Sequence, residues 1–404
     1  MASNDAVLGA AADIVAAMRD GTASLAPSLA SGRAGDAVVF AHYAAATGDA
    51  AVADAADTAL DEALDGAADL PLTGDLYGGV LGVGWALARI ERLRDEFDAD
   101  AERDDALLAE KVLAARPWPG VHDLTRGLVG IGIHALELWP SDAARSNLAA
   151  IVGCLGETAH TSPDGAYWWT DPMTVLPDRA AAFPNGYVDL GAAHGQAGAV
   201  ALLGVAAALG VDGADALARD AARYLVSWRG RASEASRYPS LVVPGASVGG
   251  ARLAWCYGDA GVAWALCVAG DALRDDELLT EARATAVAAS RRDPAAAGAV
   301  DAGVCHGAFG IAHVLRRVGE AFGDNEVLAA AGAWIDRGLA MRRALSEGIA
   351  GFVARTPSVD GALHDTAATG LLEGAGGMAL ALVSAAAGGP SPWDRFLMPQ
   401  LPAA

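Results

Sequence analysis

A pattern of two glycines followed by an apolar run recurs along the chain. Each copy has the form Gly-x-x-Gly and opens a segment that is apolar on nearly all sides, as in GGVLGVGWALARI and HGQAGAVALLGVA. A helix that is apolar all round is usually buried, so each copy predicts a buried helix. The six copies lie at residues 79–82, 127–130, 195–198, 258–261, 307–310 and 374–377.

Segments with one charged face alternate with these glycine-led segments. Their charged residues fall on one side at helical spacing, which predicts helices on the surface. An earlier pair, residues 5–19 and 36–47, fits the same alternation without the full glycine pattern, and brings the total to about seven buried and seven surface helices. The other surface segments are residues 101–116, 141–159, 214–228, 276–291 and 326–345.

Buried and surface helices that alternate and close on themselves form a two-layer α/α barrel, or toroid. We therefore expect one all-α domain over residues 1–404, with few strands. An open α-solenoid is the rival fold, but it needs polar capping repeats, and the last apolar segment, GMALALVSAAAGG, has no polar partner after it. The glycine pairs are expected to allow close helix approach and to leave helix N–H groups available to anions at one end.

Composition narrows the class of protein. A chain of 404 residues with 53% hydrophobic content can bury a large core, and its net charge of −22 argues against nucleic acid as a partner. The N-terminus lacks the features of a signal peptide, and the longest apolar stretch, residues 197–211, is too short to span a bilayer. We expect a cytoplasmic protein, with peripheral membrane association through partners as an alternative.

Soft metal ligands precede two of the glycine pairs. Cys256 and Cys305 occupy neighbouring repeats, and His306 follows Cys305 directly. Two thiolates and an imidazole are a typical Zn²⁺ ligand set, and three protein ligands leave the open position of a catalytic site. The sequence therefore predicts a zinc site, whereas Cys154 and Cys267 lie inside helices and are expected to be buried thiols.

Three further residues are candidates for chemistry. His194 precedes a glycine pair and is interpreted as an acid or base, although a core histidine is the alternative. Asp123 could cap a helix, take part in catalysis, or both. Arg252, four residues before Cys256, could stabilise an anion or only pair with a surface carboxylate. Long connections at residues 159–191, 230–251 and 348–369 are expected to surround the site and hold a peptide substrate.

The motifs resemble those of the lanthionine synthetase C-like (LanC) family, the cyclases of lanthipeptide biosynthesis. The resemblance runs from about residue 35 to the end of the chain. The pair WCYG and CHG is its most specific part. The matching motifs are LYGG at residues 76–79, HDL at 122–124, DLGAAHG at 189–195, WCYG at 255–258, CHG at 305–307 and WDR at 393–395.

The resemblance implies an α/α barrel that binds zinc through Cys256, Cys305 and His306. It also implies that His194, Asp123, Arg252 and Tyr257 surround the reacting centre. The implied reaction is Michael-type addition of peptide cysteine thiols to dehydroalanine or dehydrobutyrine, which forms (methyl)lanthionine thioether rings.

Roles for the individual residues follow from this reaction. His194 would protonate the α-carbon, Arg252 would stabilise the enolate, and Asp123 would orient His194 or accept the thiol proton. The implied partners are a dehydrated precursor peptide with leader and core, together with the dehydratase and exporter of the pathway. The family often has Tyr-Asp where this chain has His122-Asp123. No segment is long enough for a sizeable insertion domain, which puts the mode of leader capture in doubt.

Three alternatives remain open on the sequence. A LanC-like enzyme could add glutathione to dehydroamino acids, with the same fold and metal. A non-catalytic scaffold would hold structural zinc with a fourth protein ligand. A zinc-thiolate prenyl transferase is disfavoured, because no basic cluster suited to a diphosphate stands out.

Overall fold

The computed structural model describes residues 2–21, 26–232, 236–246, 249–357 and 362–402, and helices dominate it. Three two-stranded antiparallel sheets are its only paired strands within these ranges: β1 (His160–Ser162) with β2 (Gly165–Tyr167), β3 (Val188–Asp189) with β4 (Leu241–Val242), and β5 (Ala354–Pro357) with β6 (Leu363–Thr366). The helices are α1 (Asn4–Asp20), α2 (Arg33–Thr47), α3 (Ala50–Gly66), α4 (Val80–Leu93), α5 (Asp104–Leu113), α6 (Leu128–Glu137), α7 (Asp142–Thr158), α8 (Pro177–Ala182), α9 (Gln196–Ala208), α10 (Ala214–Ser227), α11 (Asp259–Leu273), α12 (Asp276–Ser290), α13 (Ala308–Phe322), α14 (Asn325–Ala340) and α15 (Ala375–Ala387).

The predicted alternation is confirmed among the described residues. Seven helices are buried along most of their length, namely α2, α4, α6, α9, α11, α13 and α15. Seven others present a polar face, namely α1, α3, α5, α7, α10, α12 and α14. Two helices were not predicted from the sequence: the surface helix α3 and the short α8.

The two classes of helix begin differently. Five surface helices start at a serine or aspartate whose side chain accepts a backbone N–H of the first turn, as polar N-caps do. Each buried helix starts at a glycine, which offers no side-chain cap. The first turns of the buried helices must therefore find hydrogen-bond partners elsewhere.

These partners are carbonyl groups of the segment just before each helix. At α6, the N–H groups of Val129 and Gly130 donate to the carbonyls of His122 and Asp123, at 3.2 and 3.3 Å. The prediction that these N–H groups stay available to anions is therefore wrong at this helix. Loops that fold back over a helix start supply the missing acceptors.

The glycines make room for this return of the chain. A Cβ at Gly130 would collide with the carbonyl oxygen of Leu124, six residues earlier, and the same offset recurs at Gly198 and Gly261. Gly32 and Gly35 meet carbonyls at the same offset, so α2 carries a seventh copy of the pattern that was not predicted from the sequence. The glycine pair therefore mainly leaves space for the loop that precedes each buried helix.

The chain folds into two compact units. The first comprises Met1–Leu72, Tyr77–Phe97 and Asp293–Trp393. Within it, buried α15 packs against α13 and α2, α2 packs against α4, and surface α1 covers α15. The last buried helix thus finds its polar partner at the start of the chain. An open solenoid would leave that helix exposed or capped.

The second unit comprises Thr73–Leu76, Asp98–Arg292 and Asp394–Ala404. Buried α9 lies between α6 and α11, while α7, α10 and α12 pack outside them. The prediction of a single domain stays a prediction. Among the described helices, none combines the length and apolar character needed to cross a membrane.

Candidate active site

The loops that fold back before the buried helices carry the chemistry of the second unit. The loop before α6 holds Asp123, the loop before α9 holds Asp189 and His194, and the loop before α11 holds Tyr257. Backbone bonds join the three loops, because Leu124 N–H donates to the Ala193 carbonyl at 3.0 Å and Ala193 N–H donates to the Cys256 carbonyl at 3.4 Å. Residues far apart in sequence are therefore held side by side.

His194 and Asp123 form a hydrogen-bonded pair. His194 Nδ1 lies 2.9 Å from Asp123 Oδ2. Asp123 is buried, and it also accepts from the Thr125 hydroxyl at 3.0 Å and the Arg126 backbone N–H at 2.8 Å. Since α6 begins after Gly127, Asp123 is not its N-cap. The carboxylate is fixed from two sides and in turn orients the imidazole.

The environment shifts the pKa of both groups in the direction that favours an ion pair. Burial raises the pKa of Asp123, but the hydrogen bonds from His194, Arg126 and Thr125 outweigh it, and the net pKa lies below the usual value. Burial lowers the pKa of His194, but the hydrogen bond to Asp123 and the negative charges of Asp123, Asp189 and ionised Cys256 raise it above the usual value. A hydrogen bond to a charged partner stabilises the charged form.

A second network starts at Tyr257. Its hydroxyl donates to Asp189 Oδ2 at 2.9 Å, and the Gly191 N–H donates to Asp189 Oδ1 at 2.9 Å. Arg179 lies 3.9 Å from the same carboxylate and donates from Nε to the Tyr187 hydroxyl at 3.1 Å. Burial and the adjacent Asp189 carboxylate raise the pKa of Tyr257, so its hydroxyl remains a donor.

The two networks meet at one cavity of about 650 Å³. The rings of His194 and Tyr257 have centroids 6.0 Å apart, and both residues line the cavity together with Asp123 and Arg179. The connection at residues 159–191 supplies much of the remaining wall, as expected of a functional loop. Among the described residues, the connections at 230–251 and 348–369 do not contribute to the lining of this cavity.

Arg252 is placed differently from the other predicted residues. Its side chain is exposed, and it does not belong to the described lining of the cavity. The structure thus brings together Asp123, His194 and Tyr257 and leaves Arg252 outside this group. The role assigned to Arg252 stays a prediction.

Asp189 and Arg179, the two charged residues of the second network, were not predicted from the sequence. Asp189 opens the DLGAAHG motif, so its position beside His194 was a usable signal. Arg179 lies in short helix α8, which has no motif, and no sequence signal identified it. Only the folding of α8 against β3, both within the 159–191 connection, reveals its contact with the site.

Cys256, Cys305 and His306 form a group that can hold a metal ion. Each offers one ligand atom, and these atoms all lie within 4.8 Å of one another. Cys256 is buried and the other two are half-buried. The four cysteines form no disulfide, and Cys154 and Cys267 are buried within α7 and α11, as predicted. Two sulfurs and an imidazole nitrogen match the preferences of Zn²⁺.

Comparison with known proteins places the chain in a family. The sequence model of the lanthionine synthetase C-like proteins matches residues 23–398, so the chain belongs to this family. No curated protein sequence matches it. Among solved structures, it is similar to one titled nisin cyclase, with a TM-score of 0.72 and 17% identity over 97% of this chain and 96% of the other. This likeness confirms the predicted fold class, an all-α toroid.

Proposed function

We propose that this member of the lanthionine synthetase C-like family is a zinc-dependent lanthipeptide cyclase. It adds peptide cysteine thiols to dehydroalanine or dehydrobutyrine and forms (methyl)lanthionine rings. The observation that carries the proposal is the metal-binding group of Cys256, Cys305 and His306, whose first member directly precedes Tyr257 of the cavity wall. A metal site with a purely structural role would not need an acid–base pair such as His194 and Asp123 in the loops next to Cys256.

The donor set suits zinc as the resident metal. Thiolates and imidazole are the ligands that Zn²⁺ prefers, and three protein ligands are typical of its catalytic sites. Bound there, zinc would lower the pKa of a substrate thiol, so that the thiolate is available near neutral pH. The scaffold alternative predicts a fourth protein ligand, and no such residue joins the group among the described residues.

His194 is assigned the proton transfer that completes the addition. The thiolate sulfur forms a bond to the β-carbon, the π electrons of the alkene move towards the α-carbon and its carbonyl, and His194 Nε2 delivers a proton to the α-carbon. The 2.9 Å bond from Nδ1 to Asp123 supports this role, because it holds the ring and stabilises its protonated form. The thiol proton restores the charge of His194, so the reaction is balanced.

Asp123 is assigned the orienting role rather than that of a base. Its carboxylate is buried and already accepts hydrogen bonds from His194, Thr125 and Arg126. Tyr257 is retained as a proposed neighbour of the reacting centre, beside His194, with its hydroxyl donating to Asp189. Arg252 is retained as a proposed contributor to enolate stabilisation that would require movement of its exposed side chain.

The implied substrate is a dehydrated precursor peptide with leader and core, delivered by a dehydratase and passed to an exporter. The site is a cavity of about 650 Å³, which offers room for part of a peptide chain. The net charge of −22 argues against nucleic acid. We place the reaction in the cytoplasm, with membrane contact only through partners.

The test combines metal analysis with ring formation. The chain is incubated with zinc and a dehydrated precursor, and remaining thiols are alkylated before mass analysis. Cys256→Ala and Cys305→Ala should lose both zinc and ring formation, whereas the matched control Cys267→Ala should keep both. His194→Asn should keep zinc and fail to cyclise. Full zinc content in the Cys256→Ala/Cys305→Ala double variant would refute the ligand assignment.

The same assay separates the glutathione alternative. Glutathione replaces the peptide thiol, and the acceptor is a dehydrated peptide without cysteine. Faster addition of glutathione than ring closure would favour that alternative over the cyclase.

A further inference from the structure

The cavity extends well beyond the His194–Asp123 pair. Its far wall comes from residues 118–122, from the end of α7 and from the chain at 168–176. These residues hold none of the assigned catalytic groups, yet they continue the same cavity. The cavity therefore offers room beside His194 for more of a substrate than the reacting residue itself.

His122 lies on this wall with an unmet hydrogen-bonding group. The residue is only 7% exposed, and its buried Nε2 has no partner among the described residues. Its ring stacks on Trp168 with centroids 5.8 Å apart, and the Trp168 indole N–H is anchored to the Leu155 carbonyl at 3.1 Å. The imidazole is therefore held by packing, while one nitrogen is left without a bond.

Thr170, two residues after Trp168, resembles His122 in being buried with a polar atom that is unpaired within the described ranges. It also lines the cavity, is 7% exposed and has a buried hydroxyl without a partner in the described part of the chain. Its backbone is fully paired, since its N–H and C=O both bond to Tyr187, at 2.8 and 3.3 Å. Buried polar groups are nearly always paired, so two unpaired ones in the lining of one cavity are candidates to bond with a ligand there.

Both groups are suited to an uncharged ligand. Burial lowers the pKa of His122 to about 4, so the imidazole is neutral at ordinary pH, and a threonine hydroxyl carries no charge. A neutral imidazole nitrogen either donates or accepts one hydrogen bond, and a hydroxyl can donate one and accept others. A peptide group offers one N–H and one C=O, and both must be paired when it leaves water.

We propose that His122 Nε2 and Thr170 Oγ1 form a subsite that binds a backbone amide of the peptide substrate, close to the residue that reacts at His194. This inference rests on the proposed function, since it takes the substrate to be a peptide. It assigns to the His122-Asp123 pair two separate tasks: His122 holds the substrate, and Asp123 orients the catalytic histidine.

Two substitutions remove the bonding groups and keep the shape. His122→Phe retains a ring for the stack on Trp168, and Thr170→Val is close in volume to threonine. The chain offers a matched control for each on the same wall. His160 lines the cavity but is exposed, and the Thr174 hydroxyl already donates to the Asp171 carbonyl at 2.7 Å. His160→Phe and Thr174→Val should therefore leave binding unchanged.

The probe is a short capped peptide with one cysteine and one dehydroalanine, and a non-reactive analogue that has serine and alanine in their places. Binding of the analogue to the zinc-loaded full chain is measured by calorimetry, and cyclisation of the reactive peptide gives kcat and KM. Each test variant should raise Kd and KM by about five- to tenfold, which is the range of one hydrogen bond. The value of kcat should stay within about twofold, and Tm should not fall.

Replacing one backbone amide of the probe with an ester identifies the ligand. At the correct position the ester should weaken binding to the original chain and have little further effect on His122→Phe or Thr170→Val. An unchanged Kd in both variants overturns the subsite, as does a fall in Tm that accounts for the loss of binding. If no ester position behaves as described, the ligand is a substrate side chain and the backbone assignment is wrong.

The outcomes for the subsite and for the cyclase are distinguishable. Ring formation together with an unchanged Kd in the variants would support the proposed cyclase and refute the proposed subsite. Tight binding of the analogue without ring formation from the reactive peptide would support the proposed subsite and refute the proposed cyclase.

Discussion

The pairing of His194 with Asp123 can be tested by Asp123→Asn, which keeps the shape of the side chain and removes its charge. In the structure, one carboxylate oxygen accepts from the Arg126 N–H and the other accepts from His194 and Thr125. An asparagine has only one acceptor oxygen. If it keeps the bond to Arg126, its NH₂ group faces His194 Nδ1, and the protonated imidazole loses its acceptor.

The expected loss follows from the bond that is removed. A hydrogen bond between charged groups contributes about 1.5–3 kcal/mol, and about 1.4 kcal/mol corresponds to a tenfold change in rate. Asp123→Asn should therefore slow cyclisation by about 10- to 150-fold. Thr125→Val removes one hydrogen bond to the same carboxylate, at 3.0 Å, but leaves the carboxylate charge beside His194 in place, so it should slow cyclisation less than Asp123→Asn does.

The assay is single-turnover ring closure, followed by alkylation of remaining thiols and mass analysis. Zinc content and Tm are measured on the same samples, because the prediction requires that both stay near those of the unmodified chain. A rate for Asp123→Asn within about threefold of the original would refute the orienting role. So would an equal loss in Thr125→Val, since the carboxylate would then act through the fold rather than through His194.

Three other predictions concern the surrounding structure. Arg179→Met removes the guanidinium that lies 3.9 Å from the buried Asp189 carboxylate. It should lower the free energy of unfolding by about 1 kcal/mol and slow cyclisation. Arg179→Lys keeps the positive charge and should retain most of the stability and most of the rate. Gly130→Ala places a methyl group against a carbonyl oxygen and should lower Tm. Gly9→Ala, in α1, has open space around it and should raise Tm slightly. Equal shifts in Tm would show that the loop before α6 does not need a glycine at residue 130. Burial raises the pKa of Asp36 to about 6, so the folded chain binds this proton more tightly than the unfolded chain, and the resulting stability is lost as pH rises through 6. Relative to Asp36→Asn, the original chain should gain about 2 kcal/mol in denaturant unfolding as pH falls from about 7.5 to about 4.5, and parallel pH profiles would contradict this.

The sequence by itself determined the number and character of most helices. Apolar and charged positions recur at helical spacing within single segments, and burial acts on each segment separately, so the seven buried helices could be predicted without coordinates. The same holds for the soft ligands, because Cys256 and Cys305 occupy equivalent places in neighbouring repeats. Asp123 and His194 could be singled out because each precedes a buried segment, and Tyr257 through the resemblance of its motif to the LanC family.

Only the tertiary structure decided which of these residues meet. His194 and Asp123 are 71 residues apart, and Tyr257 and Asp189 are 68 apart, so their hydrogen bonds depend on how whole loops lie together. Arg179 reaches the site from a loop without a motif, and Arg252 points to solvent despite its place near Cys256. Spacing along a helix records which side of that helix is buried. It does not record which loop folds over its start, and in this chain the loops carry the chemistry.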